Sequence, residues 1–361
     1  MYIPFVDNIT SFPPPTFLRM PGSGINISDH GIKVVRLRKE KTNYLPEMVN
    51  EYAIEDGVVE DGKIQESSAI TEKMAMIHDR HDVRFVYLSI PEEHGYVFGL
   101  RIPAVQKESI HDTVAVRLAE HVPLSREDAV FGCDLVERIP EEQEMYVNVA
   151  ALPKEIVDKY QNICLAADLI PLVFEIEAQS IQRAVMDPND TAPTMIVDIG
   201  RTRTGLSIVN KGVIQYTATL NMGGDMFTRA IAKQRDKSFK EADLLKQERG
   251  FVRAGADNEL HLALVNCVSV LVDEIRRRFD YWGSHAEKPG HTNQPIQKII
   301  LSGGNASVPG LSEHISRAVG VPVRLANVWK NAFSTDEYIP EVDFNHSLQY
   351  AAAIGLGLNT K

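Results

Sequence analysis

Two stretches of the chain spell the same local design. GINISDHGIKVVRL at 24–37 and IVDIGRTRTGLSIV at 196–209 each read as a strand, a tight turn of polar residues and a second strand. A β-hairpin repeated at the head of each half of a chain is a fold-level signal rather than a loop accident. In the first copy Ile32, Val34, Arg36 and Arg38 alternate with Lys33, Val35 and Leu37. Asp29-His30-Gly31 supplies the turn, with a glycine able to take positive φ.

The rest of the chain reads as alternating α/β segments. Val49–Ile54 is strand-like, and 68–81 carries Ile70, Met74 and Ile77 on one helical stripe. A block of different texture follows. Phe85–Ile90 and Tyr96–Ile102 read as strands, 110–121 as an amphipathic helix, 129–139 and 145–151 as strands, and 154–167 as a helix. That order fits a small inserted α+β domain with an antiparallel sheet. Beyond it come strands at 172–176, 195–198, 205–209, 213–220, 298–301 and 321–325. Helical spacing covers 178–186, 226–249, 257–282, 311–319 and a small-residue segment at 346–358.

Composition narrows the function classes. With 361 residues there is room for two or three domains. Lys plus Arg minus Asp plus Glu is 38 − 49 = −11, an acidic total unlike the basic face of a general nucleic-acid binder. Cys133, Cys164 and Cys267 stand far apart without a C-x-x-C, so core thiols in a reducing compartment are expected, not disulfides or a zinc site. No apolar run approaches the roughly 20 residues of a membrane span, and the first twenty residues lack the basic and apolar regions of a signal peptide. The reading is a soluble, cytoplasmic protein. Residues 1–23, with Pro13-Pro14-Pro15, read as an extended arm that packs on the body or meets a partner.

Four motifs carry chemistry. In Val197-Asp198-Ile199-Gly200-Arg201-Thr202-Arg203-Thr204 a strand ends in Asp-x-Gly. Gly200 lets backbone approach a ligand, successive amides of such a turn form an anion cradle, and Thr202 and Thr204 add hydroxyls. Asp198 suits a Mg²⁺-bound water, because Mg²⁺ keeps several waters and few carboxylates. Gly303-Gly304-Asn305, between a strand and a helix, lets a flat base lie against backbone. Gly223-Gly224-Asp225 precedes a helix and leaves its first amides open to phosphate or ribose. Asp243 and Lys246 share one helix face, where an acid beside a base suits ribose hydroxyls. Taken singly, each also reads as ordinary structure: a hairpin turn, a Gly-rich loop, a strand-to-helix turn and a solvated i,i+3 pair.

Their order is more telling. Together with SFPPPTFLRMPGSGINISDHGIKVVRL, NMGGDMFTRAIA, SFKEADLLK and LSGGNASVPGL, the sequence resembles the PilM family of type IV pilus assembly proteins from about residue 22 to 358. That family belongs to the actin and heat-shock chaperone superfamily, with the cell-division protein FtsA as a cousin. The resemblance implies a two-lobed, ribonuclease H-like duplicated, actin-like α/β fold with the PilM/FtsA-type inserted subdomain. Its parts would be the arm at 1–23, a first lobe at 24–82 and 171–190, the insertion at 83–170 and a second lobe at 191–361. It places Asn26, Ser28, Asp29, His30, Gly31 and Lys33 in a first phosphate turn, and Asp198, Gly200, Thr202 and Thr204 in a second. Gly223, Gly224 and Asp225 would lie near ribose and phosphates, Asp243 and Lys246 by the nucleoside, and Gly303, Gly304 and Asn305 around the adenosine. Glu177 matches the acidic position where the chain passes back between the halves. The implied cofactors are ATP or ADP with Mg²⁺, held through water by Asp198.

Asn26 stands where the family usually carries Asp. An amide orients water or donates to phosphate but does not offset the charge on Mg²⁺. Nucleotide is therefore expected as a structural ligand, with weak ATPase activity or none. The resemblance further implies a scaffold at the inner membrane that captures the N-terminal peptide of a PilN-like inner-membrane protein and meets other pilus assembly platform proteins. Self-association stays open, no nucleic acid is expected, and the membrane is reached only through partners. An FtsA-like filament or division protein and an actin-like small-molecule kinase are the alternatives. The C-terminal AAAIGLGLNTK argues against the former's membrane-binding amphipathic helix.

Overall fold

The computed structural model describes residues 22–251, 258–284 and 294–359. The arm expected over 1–23 lies outside them, except that Gly22 and Ser23 open the first strand. The first half contains β1 (Gly22–Ser28), β2 (Gly31–Glu40), β3 (Asn43–Ala53), the short pair β4 (Val59–Glu60) and β5 (Lys63–Ile64), α1 (Ser67–His81) and β6 (Phe85–Ile90). Then come β7 (Tyr96–Pro103), α2 (Ile110–Arg117), β8 (Ala129–Ile139), β9 (Glu144–Pro153), α3 (Lys154–Ala166), β10 (Ile170–Ile176) and α4 (Glu177–Val185). The second half has β11 (Thr194–Ile199), β12 (Thr204–Asn210), β13 (Val213–Leu220), α5 (Gly224–Arg235), α6 (Phe239–Glu248), α7 (Asn258–Ser284) and β14 (Lys298–Ser302). It closes with α8 (Leu311–Val319), β15 (Val323–Leu325), α9 (Phe344–Ser347) and α10 (Ala351–Gly357).

The sequence repeat extends to whole sheets. One has the order β10-β6-β1-β2-β3 and the other, read the same way, β15-β14-β11-β12-β13. In both, the hairpin pairs are antiparallel and the remaining neighbours parallel. β1 pairs with β2 from Ser23–Arg36 to Ser28–Gly31, and β11 with β12 from Thr194–Val209 to Ile199–Thr204. The first turn therefore contains two residues between strands and the second contains four.

The strand at Phe85–Ile90 belongs to the first large sheet and not to the inserted one, because β6 pairs in parallel with β1 and β10. Val86 to Ile90 are all buried, as a central strand covered on both faces requires. The inserted sheet holds β7, β9 and β8 in that order. Leu100, Ile102, Met145, Val147 and Val149 pack there under Ile110, Val114 and Leu118, forming a core separate from the main one. Helix α3, assigned to the insertion by its sequence position, packs on α1 of the first lobe.

Other boundaries also shift. The segment at 110–121 is α-helical to Arg117 and then makes one 3₁₀ turn, Leu118–Glu120. The charged region at 226–249 is two helices separated at Asp236, whose φ is 49°. Ser238 and Glu241 form a capping box that starts the second, a signal legible in the sequence. The 346–358 segment divides into α9, a 3₁₀ turn and α10. Gly31 does not take positive φ; it opens β2 opposite Ala53.

The small-residue helix α10, expected in the second lobe, is buried against the first. It packs against α4 and across β1, β2 and β6. A Cβ on Gly355 would collide with the carbonyl of Ser180, and one on Gly24 with that of Ala353. Arg183 forks onto Glu175 at 2.7 and 2.6 Å and also donates to the Gly355 carbonyl at 2.7 Å, fastening α4 to α10. The insertion meets the second lobe through Tyr146, which donates to Gln215, and Asn148, which donates to the Ile214 carbonyl at 2.7 Å.

Candidate functional site

Both hairpin turns and the start of α4 converge between the two sheets. Asn26, at the end of β1, donates to Ser89 at 3.0 Å and to Glu177 at 2.7 Å. Lys33 on β2 lies 3.6 Å from Glu51 and sets its charge against Glu177 and Asp198. Burial, with Glu92 and Asp198 close by, pushes Glu177 well above the carboxylate range. Asp198 is raised by burial too, and Ser302 and Lys33 pull it back. Glu92 is pushed up to about 7 by burial and by Asp198. Its Oε2 is buried and has no hydrogen-bond partner among the described residues. Three carboxyl groups thus share a poorly solvated space with Lys33 and, beside Glu92, Arg203. Such a set favours a proton or a hydrated cation. No group of three His, Cys, Asp or Glu among the described residues is arranged to hold a metal directly. Of the cofactor's two parts, this space suits a hydrated Mg²⁺ held through water.

The anion side is built differently from its expectation. Gly200 donates to the Arg203 carbonyl at 2.9 Å, which closes the second turn. The first amides of α5 are not open: Gly224 N–H donates to the Gly200 carbonyl at 3.0 Å and Asp225 N–H to that of Arg201 at 2.9 Å. The reason is close docking, since a Cβ on Gly223 would stand 2.6 Å from the Arg201 carbonyl oxygen. Thr204 donates to the Met222 carbonyl at 2.7 Å, and Asp225 pairs with Arg201 at 3.1 Å. Ser28 is used within its own turn, donating to the Gly31 carbonyl at 3.0 Å. His30 lies 3.5 Å from Asp56, and its ring nitrogens make no hydrogen bond among the described residues.

Asp243, Lys246 and the Gly303 loop come together as predicted, yet bond to one another. Lys246, 4 % exposed, lies 2.7 Å from Asp243 and donates to Asn305 at 2.8 Å and Thr228 at 2.9 Å. Asp243 also accepts from Thr228 at 3.1 Å, and these donors hold its carboxyl below the usual range despite burial. Asn305 in turn donates to the Gly200 carbonyl at 2.9 Å. Gly303 has φ +88°, and a Cβ there would stand 2.5 Å from the Ile199 carbonyl oxygen. Gly304 is exposed beside Gln349.

A cavity of about 530 Å³ opens at the mouth of the cleft. That is within the range of small-molecule sites. Asp29, His30 and Asp56 line one side, and Thr202, Arg201, Asp225, Arg229 and Phe239 the other. Sequence reasoning missed Ser89, Glu92, Glu93 and the role of Arg203. The signal available for the first three was position: Ser89-Ile90-Pro91-Glu92-Glu93-His94 is a strand end closed by proline, directly before the insertion.

Comparisons with known proteins agree on this architecture. A family model described as type IV pilus assembly protein PilM matches residues 24–361. A chain of a PilM-PilN type IV pilus biogenesis complex superposes with a TM-score of 0.76 at 19% identity, over 95% of this chain and 99% of that one. MreB5 of Spiroplasma citri bound to AMPPNP does so with a TM-score of 0.54 at 12% identity, over 93% and 95%. The cell division protein FtsA of Enterococcus hirae is 24% identical over 196 residues, half of this chain and 44% of FtsA. The match therefore spans less than half the length of that curated relative. The fold is actin-like, with two related lobes.

Proposed function

Because the chain belongs to the PilM family of type IV pilus assembly proteins, we propose that it is a scaffold of the pilus assembly platform that captures the N-terminal cytoplasmic tail of a PilN-like membrane protein. The observation that carries this reading is the family match across residues 24–361, insertion included. The inserted sheet has its own core and rests on the second lobe through Tyr146 and Asn148, which leaves β8 as an edge paired on one side only. An extended peptide docks by extending such an edge or by filling pockets between subdomains. No described helix is long and apolar enough to cross a membrane, so attachment to the inner membrane runs through that partner. Titration of the full chain with a synthetic PilN-like tail tests this. Micromolar, saturable binding is expected, and no binding at about 1 mM overturns the reading.

The cleft would take ATP or ADP as a bridging ligand. Support comes from the actin-like fold, the cavity and the trio Glu92, Glu177 and Asp198, which would surround a hydrated Mg²⁺. When bound, Mg²⁺ neutralises phosphate charge. Asn26 orients Glu177 and Ser89, while Lys33 balances the carboxylates. With an amide at position 26, turnover is expected to be slow or nil. A thermal-shift series with Mg·ATP, Mg·ADP and Mg·AMPPNP checks this: a stabilisation that saturates supports the site, and a flat response removes it.

A further inference from the structure

The phosphate side of the cleft is already bridged by the chain's own charges. We propose that Asp29 and Arg203 form an intramolecular latch that replaces a bridging anion, holds the lobes together without nucleotide and competes with nucleotide phosphates for the second turn.

Asp29 belongs to the first turn, yet two of its three hydrogen bonds come from the second lobe. Thr202 Oγ1 donates to it at 2.8 Å and Arg203 Nη2 at 3.1 Å. The third donor is the Gly62 N–H at 3.0 Å, from the β4–β5 turn. A carboxylate offers about four acceptor sites, so this one is close to satisfied. Asp29 is only 8 % exposed and the Arg203 side chain 14 %, which removes most of the solvent screening that weakens surface pairs. This is the geometry a bound phosphate would require of the same donors: a hydroxyl and a guanidinium from the second turn, and a backbone amide from the first lobe.

Arg203 has a second anchor. Its other guanidinium nitrogen pairs with Glu93, on the 3₁₀ turn Glu92–His94 that leads from β6 into the insertion. His94 lies 3.1 Å from the Gly62 carbonyl, and Thr219 of β13 reaches Glu93 at 3.4 Å. One guanidinium thus joins both turns to the root of the inserted subdomain. A polyphosphate entering this space meets Asp29, Glu92, Glu93, Glu177 and Asp198 together with Lys33 and Arg203, and with Arg201 and Arg229 on the cavity wall. It gains Thr202 and Arg203 only by displacing Asp29.

The competition rests on the nucleotide reading of the cleft; the latch itself does not, and two measurements keep them apart. The full-length wild type is compared with Asp29→Ser by X-ray scattering without nucleotide and by calorimetric titration with Mg·ATP. The expected wild-type scattering profile is the same with and without Mg·AMPPNP, whereas Asp29→Ser alone shows a larger radius of gyration. Mg·ATP should bind Asp29→Ser at least tenfold more tightly. Identical nucleotide-free profiles for the two proteins overturn the latch. An opened variant that binds Mg·ATP no more tightly than wild type overturns the competition. An opened variant where neither protein binds any nucleotide upholds the latch and removes the nucleotide reading. Asp29→Asn, which keeps the shape and removes the charge, reads the same quantities should Asp29→Ser fold poorly.

Discussion

The two hairpin turns occupy the same place in two sheets of identical order, yet they are braced differently. The second turn is held by its own lobe. Asn305, Gly224 and Asp225 tie its backbone down, Lys246 holds Asn305 in place, and Gly303 allows the β14 loop to lie against Ile199. The first turn is held partly from the other lobe, by Thr202 and Arg203 at Asp29, and partly by its own, through Gly62 at Asp29 and Glu177 and Ser89 at Asn26. The turns differ in length, two residues against four, and one presents an acceptor where the other presents donors. The pair now recognise one another, which two copies of one turn with like charges could not do.

The largest expected effect falls on the self-braced turn. Gly303→Val forces a side chain into a positive-φ position 2.5 Å from the Ile199 carbonyl oxygen. It should cost roughly 3–5 kcal/mol and lower the melting temperature by about 5 °C. Gly304→Ala, one residue on, has its nearest neighbour 3.4 Å away at Gln349 and should change little. Equal melting temperatures for the two variants would break the contrast.

Asn26→Asp tests the bonds that the first turn makes within its own lobe. It removes the donor to Ser89 and Glu177 and sets another carboxylate beside a group already raised. Urea unfolding at pH 8 should show a loss of about 2 kcal/mol, shrinking towards pH 5 as the carboxyls protonate. A loss independent of pH would place the cost in shape rather than charge.

Glu92→Gln should give the smallest change, and in the opposite direction. Glu92 titrates near 7 when folded against an ordinary carboxylate value of 4.5, so the folded state holds more protons between those values. Its contribution to stability is present at low pH and is lost as pH rises through that window. The glutamine variant should therefore match wild type near pH 5 and exceed it at pH 8 by on the order of 1–2 kcal/mol. A difference that does not vary with pH would show that Glu92 stays charged.

Much of the architecture was legible because it rests on local pattern. The repeated hairpin and the stripe Ile70, Met74 and Ile77 on α1 each need only a few residues at the right spacing. The strand Phe85–Ile90 was legible as a strand but was assigned to the wrong sheet, because an apolar run says that both faces are buried and not by what. Of the expected site residues, Asn26, Asp29, Asp198 and Thr202 lie where the two hairpin turns meet. Several others turned out to be engaged with one another, as in the bonds among Asp243, Lys246 and Asn305.

By itself, the sequence determined the kind of body: alternating strands and helices, a doubled hairpin, glycines where backbone must pass backbone, and family membership. Those properties follow from periodicity and from the steric allowance of single residues. Only the tertiary structure decided which charges meet. Asp29, Glu93 and Arg203 are far apart along the chain, and nothing in their spacing specifies a contact. Their pairing exists because the two sheets are brought together at α4, which packs on β6 and β10 of the first and on β12 and β13 of the second.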